Sequence, residues 1–110
     1  MAWLIRDGDV LASLEVADSV ASRTKGLLGR DGIDGAMLLT RTRGVHSLLM
    51  RFPIDVAFCD KDLTVLETIY LPPHRLAMPR LHARCVIEAR AGAFEQWKLQ
   101  AGDQLEIKGP

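Results

Sequence analysis

The sequence predicts a mainly β domain, a small antiparallel barrel or two-sheet sandwich with one short helix in its N-terminal half. Three observations predict it. Short apolar segments with period-two alternation recur along the chain, separated by glycine- and proline-rich turns. A single stretch changes convincingly to helical spacing. Finally, no helical segment stands between each pair of strands, which opposes a parallel α/β arrangement.

Taken in order, "DVLASLEV" alternates, with Val10, Ala12, Leu14 and Val16 on one side and Leu11, Ser13 and Glu15 on the other. The preceding "RDGD" reads as a turn from a short strand at Trp3 to Ile5. In "ADSVASRTKGLLGRDGIDG", Asp18 or Ser19 supplies a helix cap, and the spacing predicts a helix from Ser19 to Leu28. Gly26 and Gly29 weaken its end. "AMLLT" and "VHSLLM" read as short strands joined by the hairpin-length loop "RTRG". "IDVAFCD" and "LTVLETIYL" flank an acidic turn and form a second hairpin. Three prolines break "PPHRLAMPRLHA". "RCVIEAR" resumes as a strand, "AFEQWKLQ" has room for a helical turn or two, and "DQLEIK" closes as a last strand. Val56, Phe58, Val65, Ile69, Val86 and Ile87 are the expected core positions.

A chain of 110 residues is expected to form one domain, 1–110, without a repeat or linker. Its hydrophobic content of 48% is that of a globular protein. Acidic and basic residues balance at 14 each, which argues against long-range attraction to nucleic acid. The opening "MAWLIRDGDV" lacks the pattern of a signal peptide, and no apolar run is long enough to span a bilayer. Cys59 and Cys85 make no disulfide framework and are expected to be buried, reduced thiols. The expected location is cytoplasmic, with no membrane partner.

Several phrases, in order, resemble the domain of unknown function 192 family. They are "GLLGR" (26–30), "GAMLL" (35–39), "VHSLLMRFPIDVAFCD" (45–60), "VLETIYLPP" (65–73) and "VIEARAGAFEQWKLQAGDQLEI" (86–107). The resemblance runs from about Ala17 to Ile107 and implies a mostly β, barrel-like domain with a short early helix. It implies no activity. The family's recurring positions fall on Gly26, Leu27, Arg30, Met50, Pro53, Ile54, Asp55, Glu88, Gly92, Gly102 and Asp103. Many members carry two aromatics where this chain has Leu48 and Leu49.

The candidate ligand-binding residues are Arg30, His46, Arg51, Asp55, His74, Arg75 and Glu88. Arg30 has a planar donor fork suited to a carboxylate or phosphate, or to pinning the helix exit. Strand spacing puts Arg51 and Asp55 on one face, opposite a core stripe of Phe52, Ile54, Val56 and Phe58. A covered aspartate needs a partner, so Asp55 is expected to brace an arginine, Arg30 or Arg51. No His or Cys spacing marks a metal site, no cofactor motif occurs, and neither a nucleophile elbow nor a phosphate loop is present.

Between residues 74 and 90 four arginines and two histidines meet one acid, Glu88. These observations favour a non-catalytic binding module whose basic loops, 41–51 and 74–84, hold an anionic small molecule or an acidic protein segment. The competing reading is a small hydrolase or carbohydrate-active enzyme using Asp55 and Glu88, which requires both carboxylates to face one cleft.

Overall fold

The computed structural model describes residues 2–109 and arranges them as two sheets and two short helices. The opening alternation becomes the hairpin of β1 (Ala2–Arg6) and β2 (Asp9–Ala17). A register shift between Leu4 and Ile5 breaks the face between Val10 and Ala12, so Leu14 is buried and Val10 exposed; Val16, beyond Leu14, is exposed as well.

Helix α1 (Val20–Lys25) starts in a reciprocal cap. The Ser22 amide donates to Ser19 Oγ at 3.0 Å and the Ser19 amide donates to Ser22 Oγ at 3.1 Å. It ends three residues before the expected Leu28, because Gly26 turns to φ 48° while its amide still reaches the Ser22 carbonyl. No α1 side chain is buried; Leu27, just beyond it, anchors the segment in the core.

The remaining elements are β3 (Ala36–Thr40), β4 (Val45–His46), β5 (Ile54–Cys59), β6 (Val65–Leu71), β7 (Leu76–Ala77), β8 (Cys85–Arg90), α2 (Ala93–Trp97) and β9 (Glu106–Lys108). Seven strands form the main sheet in the order β6-β5-β8-β3-β2-β1-β9, with β2–β3 parallel and the other pairs antiparallel. A second small sheet holds β4 and β7. The expected β5–β6 hairpin forms. The expected hairpin through "RTRG" does not: β3 pairs with β2 and β8, while β4 crosses to β7.

The barrel alternative is overturned. Closure requires the two edge strands to share a ladder. Here the edges are β6 and β9. The start of β6 meets the segment before β9 through the bridge Thr64–Gln104 and backbone hydrogen bonds of Leu63 and Val65 to residues 102–105. The three residues of β9 itself are paired with β1 and form no ladder with β6. The two-sheet alternative, mainly β with one helix in the N-terminal half, is the observed fold.

Every residue of β5 is buried, as are the first five of β8, so both strands feed a core on each face. Ala57, Cys59, Cys85, Ile87 and Ala89 point into one core with Phe94 and Leu99. Ile54, Val56, Phe58 and Val86 point into the other with Leu27, Met37 and Met50. Of the expected core residues, Val56, Phe58, Val65, Val86 and Ile87 are buried and Ile69 packs half-buried beside them. Cys59 and Cys85 are direct partners across β5–β8, and both are free buried thiols.

Asp55 explains how α2 is held. This helix lacks a side-chain cap of its own; its N-cap is Gly92, at φ 93°. Asp55 Oδ2, reaching over from β5, accepts from the Gly92 amide at 3.0 Å and the Phe94 amide at 3.1 Å. The brace expected with an arginine is thus made with two backbone amides, which need an acceptor once the helix start is buried. Asp55→Ala is expected to destabilise the fold by about 2–4 kcal/mol, since it orphans two amides that bond a charged acceptor. Asp55→Asn retains an acceptor and should lose less. Urea denaturation reads this as a lower midpoint at unchanged slope, and an unchanged midpoint would refute the brace.

Candidate functional site

The β5–β8 register separates the two carboxylates of the hydrolase reading. Asp55 pairs with Ala89, while Glu88 pairs with Val56, so their side chains leave opposite faces of the sheet. Asp55 lies by α2, in an open depression with Tyr70, Phe94 and Lys98. Glu88 lies on the α1 side, flanked by Val56 and by Met37 of β3. They share no cleft, and two-carboxylate chemistry has no place to occur.

The candidate arginines separate in the same way. Arg30 grips Glu15 through two hydrogen bonds of 2.7 and 2.8 Å, tying the α1 exit to β2. The paired guanidinium holds the Glu15 carboxyl below its ordinary range. Arg51, largely exposed, pairs with Asp31 at 2.8 Å. Arg80 grips Glu67 at 3.0 and 2.9 Å and lies 4.4 Å above the Phe58 ring. Arg90 turns toward Gln96 of α2. The basic run of the sequence is therefore partly consumed. Arg41, Arg43, Arg75 and Arg84 make no ion pair among the described residues.

Those four lie on one loop cluster. Loop 41–44 runs beside loop 77–84, with the Thr42 amide donating to the Arg84 carbonyl and the Arg80 amide to the Arg43 carbonyl. Loop 47–53 is locked to the chain after β6 through Ser47, which is fully buried. Ser47 Oγ donates to the Pro72 carbonyl and accepts from the Arg75 amide, while its backbone N–H and carbonyl bond Arg75 and His74. The strand expected over 45–50 stops at His46 for this reason. Ser47 belongs to a non-local hydrogen-bond hub, whose partners lie 25 or more residues away, so its local sequence carries no signal of it.

Three backbone positions on this cluster are held at positive φ: Arg41 at 49°, Leu49 at 63° and His74 at 65°. Imidazole nitrogens secure the tip. The Leu48 amide donates to His46 Nδ1 at 3.3 Å and the Leu49 amide to His74 Nδ1 at 3.2 Å. Such a turn presents Leu49 to solvent, 78% exposed, on the same cluster as exposed Leu76, Met78 and Leu81. Four large apolar side chains interspersed with unpaired arginines are an unusual surface for a folded loop.

Under this face lies a cavity of about 80 Å³ between α1, its glycine exit and β4. Leu27, Leu39 and Met50 line it as buried walls, and Arg23, Lys25 and His46 line it from more exposed positions. The structure thus brings His46 and Glu88 to one cavity and leaves Arg30, Arg51 and Asp55 outside it. Glu88 is 3% exposed, and its carboxyl makes no hydrogen bond to any described residue. Burial pushes it up to about 7. Among the described residues no group of three metal-ligating side chains occurs, and no helix is long and apolar enough to cross a membrane.

Fold and site together define a small two-sheet β domain with a loop-built basic and apolar face over one buried carboxyl. The chain belongs to the domain of unknown function 192 family, described as an uncharacterized ACR, whose model matches residues 3–107. Among its relatives, the UPF0127 protein of Pyrococcus abyssi is 31% identical over 98 residues, 84% of either chain. That of Pyrococcus horikoshii is 30% identical over 98 residues, covering 84% of this chain and 85% of its own. A solved structure from Sinorhizobium meliloti, described provisionally as a transcription regulator, superposes with a TM-score of 0.81 at 25% identity, over 96% of this chain and 91% of its own. A protein of unknown function from Novosphingobium aromaticivorans superposes at 0.78 with 20% identity, over 96% and 82%, a likeness of fold.

Two predictions follow from the hub and the carboxyl. Ser47→Ala should cost about 1–3 kcal/mol, because it strands a buried amide and carbonyl. Amide hydrogen exchange should then quicken at residues 47–50 and 74–76 ahead of the main sheet. The folded Glu88 keeps its proton to about pH 7, whereas the unfolded chain releases it near 4.5. Its contribution is therefore full below pH 4.5 and lost as pH rises through 7. Glu88→Gln, which cannot ionise, is expected to be more stable than the parent at pH 8, by roughly 3 kcal/mol relative to pH 4.5. Denaturation midpoints of both proteins across that range check the sign.

Proposed function

We propose that this protein is a non-catalytic binding module whose loop cluster, residues 41–50 and 72–84, docks an acidic protein segment carrying apolar side chains. The observation that carries the reading is the exposure of Leu49, Leu76, Met78 and Leu81 among Arg41, Arg43, Arg75 and Arg84, which have no carboxylate partner among the described residues. Apolar contact supplies affinity and the arginines supply orientation and charge selection. Rigidity supports it too. A face pinned by Ser47 and two imidazoles loses little freedom on binding.

The groove between the β6 edge and β7, lined by Ile69, Tyr70, Leu76 and Met78, suits an extended segment. The outer edge of β6 beyond Val65 pairs with no strand among the described residues, so such a segment has backbone groups to pair with.

Calorimetry tests the proposal with an extended peptide alternating aspartate and leucine, against the same peptide with lysine for aspartate. Binding of the acidic peptide alone is expected, weakening when salt rises from about 50 to 300 mM. Met78→Asp should reduce that affinity at least tenfold without lowering the unfolding midpoint. Equal binding of both peptides, or of neither, would defeat the proposal. Preferential binding of duplex DNA would replace it with a nucleic-acid-binding role.

A further inference from the structure

The loop face leaves the cavity beneath it unexplained. Glu88 is the only charged side chain buried on β8, and no protein group donates to its carboxyl, whose oxygens keep their remaining exposure toward this cavity. A cavity of about 80 Å³ also has a definite capacity. At a liquid share of about 30 Å³ per water it holds two or three waters, or one molecule of about four heavy atoms.

The lining selects among such molecules. Its walls are the apolar side chains of Leu27, Leu39 and Met50, and Glu88 is its one acid. The charged or titratable groups facing the cavity are Arg23 and Lys25 from α1, His46 from β4 and Glu88 from β8. The hydroxyl of Thr24 already donates to the Val20 carbonyl and that of Thr42 to the Thr40 carbonyl, leaving Glu88 as the polar group free to reorganise. A small cation would have to enter past two cationic side chains. A small anion is drawn in by them.

We propose that this cavity binds a short monocarboxylate, acetate or propionate in size, which accepts a hydrogen bond from the Glu88 carboxyl while Arg23, Lys25 and His46 face its charge. A protonated carboxyl in an apolar site is a strong donor to an anionic oxygen. The methyl or ethyl group packs against Leu27, Leu39 and Met50. Binding and protonation of Glu88 are therefore linked, and the cavity opens beneath the loop face, sharing Thr42, Gly44, Val45, His46 and Met50 with its inner side.

The test is a titration of the isotope-labelled protein with acetate, following amide resonances of residues 23–28, 42–46 and 87–89. Saturable shifts are expected there, with affinity about tenfold weaker at pH 8 than at pH 6, the loss of proton expected of a carboxyl pushed up to about 7. Glu88→Gln keeps a donor, so it should still bind, and the pH dependence should vanish. That loss separates Glu88 from His46 as the titrating group. Glu88→Leu should abolish the shifts while remaining folded, and hexanoate should bind worse than propionate. Methylammonium binding that strengthens with pH would overturn the proposal, as would acetate shifts that survive in Glu88→Leu. Peptide docking on the loop face is read separately in the same variants, so either proposal can fail without the other.

Discussion

β8 lies between β3 and β5 with side chains buried on both faces, and the two ladders it makes govern the position of every other element. Alternate residues along it enter different cores: Ile87 and Ala89 join one, Val86 the other. A slip of one residue would exchange these sets, moving Glu88 into the core beside α2 and Ile87 beneath α1. Small residues on one face, Ala57 and Ala89 with Ala36, let α2 and Phe94 come close. Larger ones on the other, Phe58 and Val56, meet Leu27 and Met50. The register is thus held by volume as well as by hydrogen bonds.

Each side of the sheet carries one buried carboxylate position, and the two meet opposite fates. Asp55 finds two amides at the start of α2, a local need that its charge satisfies. Glu88 finds no donor beside it, and burial keeps the proton on until about pH 7. Burial is nearly the same in both; hydrogen bonding differs. Asp55 therefore belongs to the framework, whereas Glu88 faces the cavity beneath the loops.

The loop face depends on the same framework at one remove. Met50 and Leu27 rest on the β5–β8 face, Ser47 joins the loop above them to the chain after β6, and the imidazoles of His46 and His74 hold the Leu49 turn. The left-handed Leu49 and His74 are tolerated because hydrogen bonds from several directions over-determine them. The arginines sort by reach. Those beside a strand with a carboxylate in range, Arg30 and Arg80, are spent on Glu15 and Glu67, whereas those on loops 41–44 and 81–84 make no ion pair among the described residues.

By itself the sequence determined what local chemistry can specify. Period-two alternation marked β5, β6 and β8, the Ser19 cap marked the start of α1, and the ordered phrases from Gly26 to Ile107 marked the family. Arginine forks and loop charge were visible as well, but not which of them would be spent internally. Tertiary structure alone decided which strands pair: the hairpin read through "RTRG" gave way to β3 with β8 and β4 with β7. It placed Asp55 and Glu88 on opposite faces, brought Cys59 opposite Cys85, left the sheet open at β6 and β9, and buried Ser47 in a hub. The reason is physical. Side-chain alternation is a property of one strand, readable within a few residues, whereas register and closure arise between strands far apart in sequence, where packing volume and shared hydrogen bonds choose the partner.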